Sequence, residues 1–451
     1  SRISAPFRAA CARALPERPV VIGFGPAGMF AALVLAMAGA RPIVLERGQD
    51  ARTRHEKVQK FWNGGGLDTE CNVQFGEGGA GTFSDGKLTT GTKNERIGWV
   101  LEQFADAGAG ADILFDAKPH IGTDVLVEVV QNLREKILHY GGEVRFGARV
   151  TGLVEKNGQL AGMRYEQDGR EHELACTRAA LAIGHSARDT FGMLLDAGVR
   201  MEAKPFSMGV RIEHRQASID AAQYGASAGR QGLPPADYKL NVHLPDGASA
   251  YTFCMCPGGQ VVAAASEDGG VVTNGMSNAA RDGENANAAL LVTLSPEDFP
   301  GTDALAGMRW QRSLEQAAFR AGGGDYRAPA QLAGDFLAHR ASTALGSVQP
   351  TYRPGVRLCE LHDVLPARIT DVLERALPEL GKRLHGFDAP DAVLTAPETR
   401  SSSPVRIVRD AARQANLRGL FPCGEGAGYA GGIMSAAVDG ILTAEEILKE
   451  D

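Results

Sequence analysis

The sequence predicts an α/β fold in which a three-layer ββα domain with a parallel sheet is interrupted by an inserted α+β segment. Three observations carry this. A short apolar run, Val20–Ile22, leads through a glycine-rich turn into an apolar helix and a second apolar run, Ile43–Leu45. Short alternating segments follow, divided by the hairpin signals Asn157-Gly158 and Asp168-Gly169. The chain then closes as it opened, with Leu420 and Phe421 running into glycines and a final helix.

Residues 1–18 form a lead-in with a short helix expected near Arg8–Leu15. The β-branched run Val20–Ile22 suits a parallel strand buried on both faces. Gly23, Gly25 and Gly28, with Pro26 and Ala27 between them, give G-x-G-x-x-G where strand must turn to helix. These glycines permit a tight turn, close approach of a pyrophosphate, and close helix–strand contact. The helix expected over Gly28–Ala38 starts with unpaired N–H groups suited to phosphate. Glu46 ends the second strand, 18 residues after Gly28, where a carboxylate accepts ribose hydroxyls and repels a 2′-phosphate. Strand, turn, helix, strand and terminal acid together are far more specific than the glycines alone. A membrane span is the rival, since no charge falls between Arg18 and Arg41, but the Gly/Pro turn cuts that run too short.

A polar helix is expected over Arg52–Trp62. The stretch Asn72–Thr90 is then too rich in glycine, threonine and serine to build a core. It supplies backbone N–H groups and hydroxyls to a ligand. Phe75, Phe83 and Leu88 within it favour an ordered loop over a flexible one. Lys87 lies either near a phosphate or the redox ring, or in solvent. Asp124–Tyr140 carries a helical stripe of Leu126, Val129, Val130, Leu133 and Ile137. Strands are expected at Glu143–Phe146, Val150–Glu155, Leu160–Gln167 and Glu171–Cys176, and a buried one from Ala179 to Ile183 stops at Gly184. This is the layout of a Rossmann-like FAD-binding domain.

From Lys204 to Ala389 the texture changes to strand-like runs (Met208–Ile212, Ala250–Met255, Gln260–Ala265) among polar and glycine-rich loops, with no second strand–GxGxxG–helix unit. The expected organisation is therefore a lead-in (1–18), a discontinuous FAD-binding domain (19–203 with 390–451) and an inserted substrate domain (204–389). In the closing stretch Gly424 ends the strand and Glu425 can hold ribityl hydroxyls. Gly431 and Gly432 open a helix with the stripe Ile433, Ala437, Ile441, Ala444 and Leu448. That helix end would set N–H groups and a positive dipole at the flavin N1–C2=O edge.

These motifs are similar to those of FAD-dependent oxidoreductases of the glutathione-reductase-like fold. The likeness is strongest to the bacterial FAD-dependent, or NAD(FAD)-utilising, dehydrogenases. It rests on GFGPAG at Gly23–Gly28, ERG at Glu46–Gly48, QFGEGGAGTFSDGKL at Gln74–Leu88, AIGHSARDT at Ala182–Thr190 and PCGEGAGYAGGI at Pro422–Ile433. The resemblance implies that Glu46, beside Arg47, binds the adenosine ribose. It further implies that Gly79, Ala80, Gly81 and Thr82 meet the pyrophosphate side, Val150 meets adenine through its backbone, and Glu425 meets the ribityl chain. Most flavoproteins of the fold have Asp where Glu425 stands. Members of the group often carry a further N-terminal domain, which fits a chain that starts at Ser1.

Several residues are candidates for chemistry. His185, Arg188 and Asp189 follow the closing strand, where open α/β sheets bind ligands, and His has a suitable pKa for proton transfer. The same residues also read as an ordinary helix start. Arg400 offers a bidentate fork to a carboxylate substrate. Cys254-Met255-Cys256-Pro257 is C-x-C, neither C-x-x-C nor C-x4-C, which favours reduced structural cysteines over a dithiol relay. No zinc-ligand spacing, G-x-S-x-G elbow or P-loop is present in the sequence.

The formal charge of −7, from 47 basic and 54 acidic residues, speaks against nucleic acid or an anionic membrane as partner. Seven irregularly spaced cysteines fit a reducing compartment, and with no signal segment the cytoplasm is expected. The function that follows is an FAD oxidoreductase acting on a small molecule, with NADH or NADPH as a transient donor. Flavin monooxygenation and an FAD role in RNA modification are the alternatives.

Overall fold

The computed structural model describes residues 15–449, so the helix expected near Arg8–Leu15 lies almost entirely outside the described residues. The first part of the chain contributes β1 (Val20–Ile22), α1 (Pro26–Met37), β2 (Ile43–Glu46), α2 (Ala51–Trp62), α3 (Arg96–Phe104), α4 (Thr123–His139) and β3 (Glu143–Phe146). A meander of β4 (Arg149–Lys156), β5 (Gln159–Gln167) and β6 (Arg170–Ala175) precedes β7 (Ala179–Leu181) and α5 (Arg188–Asp196). The middle supplies β8 (Met201–Ala203), β9 (Phe206–Arg215), α6 (Gln216–Tyr224), β10 (Asn241–His243), β11 (Ser249–Cys256), β12 (Gln260–Ala263), β13 (Thr273–Met276) and β14 (Asn285–Leu294). Then come α7 (Ala306–Ala321), β15 (Ala328–Leu332), α8 (Ala333–Leu337), β16 (Val356–Leu358), α9 (Ala367–Arg383), β17 (Val393–Glu398), β18 (Val405–Ile407), β19 (Leu420–Pro422) and α10 (Ile433–Ile447).

One sheet is parallel throughout, in the order β19-β7-β1-β2-β3. Alternation along its strands feeds two cores. Val21, Val44, Ala180 and Phe421 face α1, α4 and α10, while Val20, Ile22, Ile43, Leu45 and Leu181 face the meander residues Val150, Leu160 and Met163. This is the expected ββα layering, and it explains why the strands read as continuous apolar runs. The stripe predicted for α4 is the buried one. Helices α1 and α10 approach so closely that a Cβ on Gly440 would fall 2.1 Å from the Ala27 carbonyl oxygen.

The second sheet has seven strands in the order β10-β11-β14-β9-β17-β15-β16, antiparallel except for the β15–β16 pair. Its core runs from Met208, Val210 and Ile212 to Leu373, Leu377 and Leu380 on α9, the most amphipathic of the long helices. The strand β17 lies past residue 389, yet its partners are β9 and β15. The second sheet thus takes a strand from a segment that sequence reasoning gave to the first unit. The expected strand ending at Ala265 stops at Ala263, where the pairing of β12 with β13 ends.

Candidate functional site

The turn after β1 is built on close approach. Gly23 has φ +99°, and a Cβ there would lie 2.0 Å from the Ala182 carbonyl oxygen. Only glycine meets both demands. Gly28 packs on Gly23 itself, with a Cβ falling 2.0 Å from the Gly23 carbonyl oxygen. Gly25 caps α1 without a side-chain hydrogen bond and faces Gly79, whose Cβ would come within 2.8 Å of the Gly25 Cα. The two glycine-rich segments therefore meet backbone to backbone.

At the end of β2 the Glu46 carboxylate is 5 % exposed and accepts from the backbone N–H groups of Phe24 (3.1 Å) and Gly48 (2.7 Å). Arg47 lies over the Phe75 ring at 4.1 Å and pairs with Glu70 (2.9 Å) and Asp189 (2.8 Å). Burial works against its charge, but Asp189 and Glu70 hold it above the usual arginine range. Asp189 therefore closes the Arg47 cluster and is not free beside His185.

The 72–90 segment is ordered from beneath. Arg54 on α2 is fully buried, and its guanidinium donates to the carbonyls of Asn72 (2.8 Å), Val73 (2.7 Å) and Glu77 (2.8 Å). Burial pulls its pKa down to about 10. Glu77, also buried, accepts from the Ala51 N–H at 2.9 Å, and desolvation pushes its carboxyl up to about 7. Sequence reasoning missed both residues. Arg54 sat in a helix read only as polar, and nothing in its spacing marks it as a post for a loop.

A single cavity of about 1010 Å³ connects these parts. Of the residues expected at the cofactor, Gly23, Gly25, Pro26, Ala27, Glu46, Arg47, Gly79, Ala80, Gly81, Lys87 and Val150 line it. So do Gly184, Gly424, Glu425, Gly431, Gly432 and Ile433 from the later segments. Gly28 and Thr82 stand behind the wall, the first in the helix turn and the second against Gly78. The cavity fits an anionic dinucleotide on two features. The N-termini of α1 and α10 both open on it, capped by Gly25 and Gly432 with no side-chain bond. The Gly25–Gly79 notch would be filled by any Cβ.

The far end of the cavity is walled by the second sheet through Arg211, Cys254, Met255 and Glu398, and by Asn274 on β13. Arg211 pairs with Glu398 at 2.8 Å and donates to Asn287 (3.1 Å) and to the Cys254 carbonyl (2.9 Å). Burial opposes its charge, and Glu398 more than restores it, holding Arg211 above its usual range. Lys87 bonds the Met255 carbonyl and so ties the 72–90 segment to this sheet. His185 Nε2 stands 3.5 Å from Glu425 Oε1, and its Nδ1 is buried without a partner.

The remaining candidates are engaged elsewhere. Arg400 lines the cavity, but its guanidinium donates to Glu315 (2.9 and 3.2 Å) and Ser266 (2.5 Å), which takes up the fork expected for a carboxylate substrate. Arg188 points away from the cavity to the same Glu315 (2.8 and 2.9 Å) and to Glu267 (3.2 Å). Burial would raise the Glu315 carboxyl, yet Arg188 and Arg400 outweigh it and hold it far below the usual range. Among the described residues His339, His362 and Glu374 bring ligand-type atoms within 4.8 Å of one another, on the surface of the second sheet's unit.

Residues 205–401 match the family described as FAD-dependent protein, C-terminal domain-like. A protein of Clostridium beijerinckii, named only as uncharacterized, is 51 % identical over 438 residues, spanning 97 % of this chain and 81 % of its own. Among solved structures, a 3-ketosteroid-Δ4-(5α)-dehydrogenase from Rhodococcus jostii covers 98 % of this chain and 99 % of its own at 13 % identity, TM-score 0.40. The flavin-dependent brominase Bmp2 covers 96 % and 78 % at 12 % identity, TM-score 0.42. Those two likenesses are distant and say nothing of reaction. Identity of 51 % over nearly the whole chain places it in one family with the Clostridium protein, and within it residues 205–401 match the FAD-dependent protein, C-terminal domain-like unit.

Proposed function

We propose that the protein is an FAD-dependent oxidoreductase of the glutathione-reductase-like group, passing a hydride or two electrons between a donor and a small-molecule substrate. The observation that carries this is the single cavity joining both glycine turns to the polar wall of the second sheet. In this reading Val150 meets adenine, Glu46 the ribose, and the α1 N-terminus behind Gly25, together with Gly79, the pyrophosphate. Glu425 takes the ribityl hydroxyls. The end of α10 at Gly432 and Ile433 sets its positive dipole at the pyrimidine edge of the ring, where negative charge collects on reduction.

When bound, FAD supplies two-electron transfer at N5. The chain's own residues bind, orient and exclude water. Lys87 and the ion pairs Arg211–Glu398 and Arg281–Asp85 give the far end of the cavity a polar wall for a carbonyl-bearing substrate. His185, with one ring nitrogen near Glu425 and the other unpartnered, is placed to hold a proton beside the cofactor. NADH or NADPH would reach the site transiently through the mouth at Thr89–Gly91 and Lys118.

A visible spectrum of the purified protein followed by anaerobic titration with NADH and then NADPH tests this. A flavin spectrum bleached by one nicotinamide is expected. A colourless protein that takes up no added FAD would end the proposal, and reduction leading to a stable oxygen adduct in air would favour monooxygenation instead.

A further inference from the structure

The cysteines differ in setting. Cys71 and Cys176 are single buried thiols, and burial raises both, Cys176 to about 12. Cys423 reaches the cavity wall, but alone and likewise raised to about 12. Cys254 and Cys256 come as a pair, with Cys254 on the cavity wall and Cys256 behind it.

The strand that holds them is deformed where they lie. The pairing of β11 with β14 slips between Phe253 and Cys256, and Cys254 has φ +50°, in the left-handed region a side chain seldom adopts. In a regular strand, residues two apart are about 6.6 Å from Cα to Cα, near the upper end of what a disulfide spans. The kink turns the pair back on itself: the Cys256 thiol donates to the Cys254 carbonyl at 3.2 Å. Arg211 holds the Cys254 carbonyl (2.9 Å) and Lys87 holds that of Met255, so two cations brace the bulge from the cavity side. Space around the inner sulfur is kept by glycines: a Cβ on Gly275 would lie 3.0 Å from the Cys256 sulfur, and one on Gly259 2.8 Å from the Cys256 Cβ. The neighbouring Cys256 thiol, followed by Arg211 and Lys87 acting against burial, lowers the Cys254 thiol towards the reactive thiolate.

The geometry points to Cys254 and Cys256 as a redox-active dithiol, with Cys254 the sulfur facing the cavity and Cys256 its buried partner, exchanging two electrons with FAD. This rests on the flavin assignment proposed above. In the oxidising direction Cys256 gives up its S–H proton and one S–S bond forms between the two sulfurs. The electron pair and that proton pass to the oxidised flavin. In reverse, the S–S bond breaks on taking back the same proton and electron pair, leaving a thiolate at Cys254 and a thiol at Cys256.

The test uses flavin-bearing protein titrated anaerobically with dithionite, with samples quenched by an alkylating reagent and the 254–256 peptide mapped by mass. The wild type is expected to consume twice the reductant per flavin consumed by Cys254→Ser or Cys256→Ser. Its oxidised peptide should be two hydrogens lighter and unalkylated, and its reduced peptide doubly alkylated. If coloured wild-type protein takes up no more reductant than the variants, or alkylates at both sulfurs when oxidised, the pair is structural. The dithiol is then overturned and the flavin assignment stands. A protein that binds no FAD overturns both.

Discussion

Glu315 sits 1 % exposed between the guanidinium groups of Arg188 and Arg400. Glu315→Gln would leave two buried cations short of a partner and is expected to cost roughly 3–5 kcal/mol in denaturant unfolding. Removing Glu70 from its half-exposed pair with Arg47 should cost less than about 1 kcal/mol. The pH signs follow from the directions of the shifts. The lowered Glu315 pKa gives stability that is present above the unfolded value, near 4.5, and lost as pH falls through the folded one. Glu77 works the other way, since its carboxyl is raised from 4.5 to about 7, so its contribution is lost as pH rises across that window. Glu77→Gln should therefore flatten the decline in melting temperature over that range. Neither residue's role was legible in the sequence. Their partners lie far along the chain, and only the fold brings Arg188, Glu315 and Arg400 together.

Elements were far more readable than side-chain partners. The β1–α1 turn declared itself through its glycines, and the structure divides their labour in a way that can be measured. Gly28→Ala would drive a Cβ to 2.0 Å from the Gly23 carbonyl oxygen and should lower the melting temperature outright. Gly25→Ala meets nothing nearer than the Gly79 Cα at 3.5 Å, at an ordinary φ of −79°. Its stability should hold while FAD affinity drops at least about tenfold, or about 1.4 kcal/mol, as read by fluorescence titration. The α4 stripe, the meander turns and the α10 stripe were visible as periodicity. The β11 bulge was not, because strict alternation predicts both cysteines on one face of a regular strand. The ordered state of Asn72–Thr90 was legible only in part: its aromatic residues hinted at it, but Arg54, which holds its carbonyls, gave no signal.

At the scale of the molecule, the parallel sheet with its layers was legible, whereas the second sheet was seen only as scattered strands. Its order depends on β17 returning between β9 and β15, a long-range pairing with no local mark. Both sheets wall the same cavity, and Lys87 bonds across it to Met255. Added FAD should therefore raise one shared unfolding transition, by about 2.7 kcal/mol at a hundredfold excess over Kd, and not that of one sheet alone. Calorimetry that resolves two transitions, with only one moved by FAD, would contradict this. No helix among the described residues is long and apolar enough to cross a membrane.

The position of β19 at the edge of the parallel sheet, beside β7, also sets the timing of assembly. The wall that the first glycine turn needs opposite, Gly424 to Ile433, is translated only after the whole second sheet. A nascent chain thus waits through the synthesis of the whole second sheet with β7 as an unpaired edge. Flavin loading is therefore expected only once Gly424 to Ile433 has emerged, and ribosomes stalled before Leu420 should carry chains that retain no flavin.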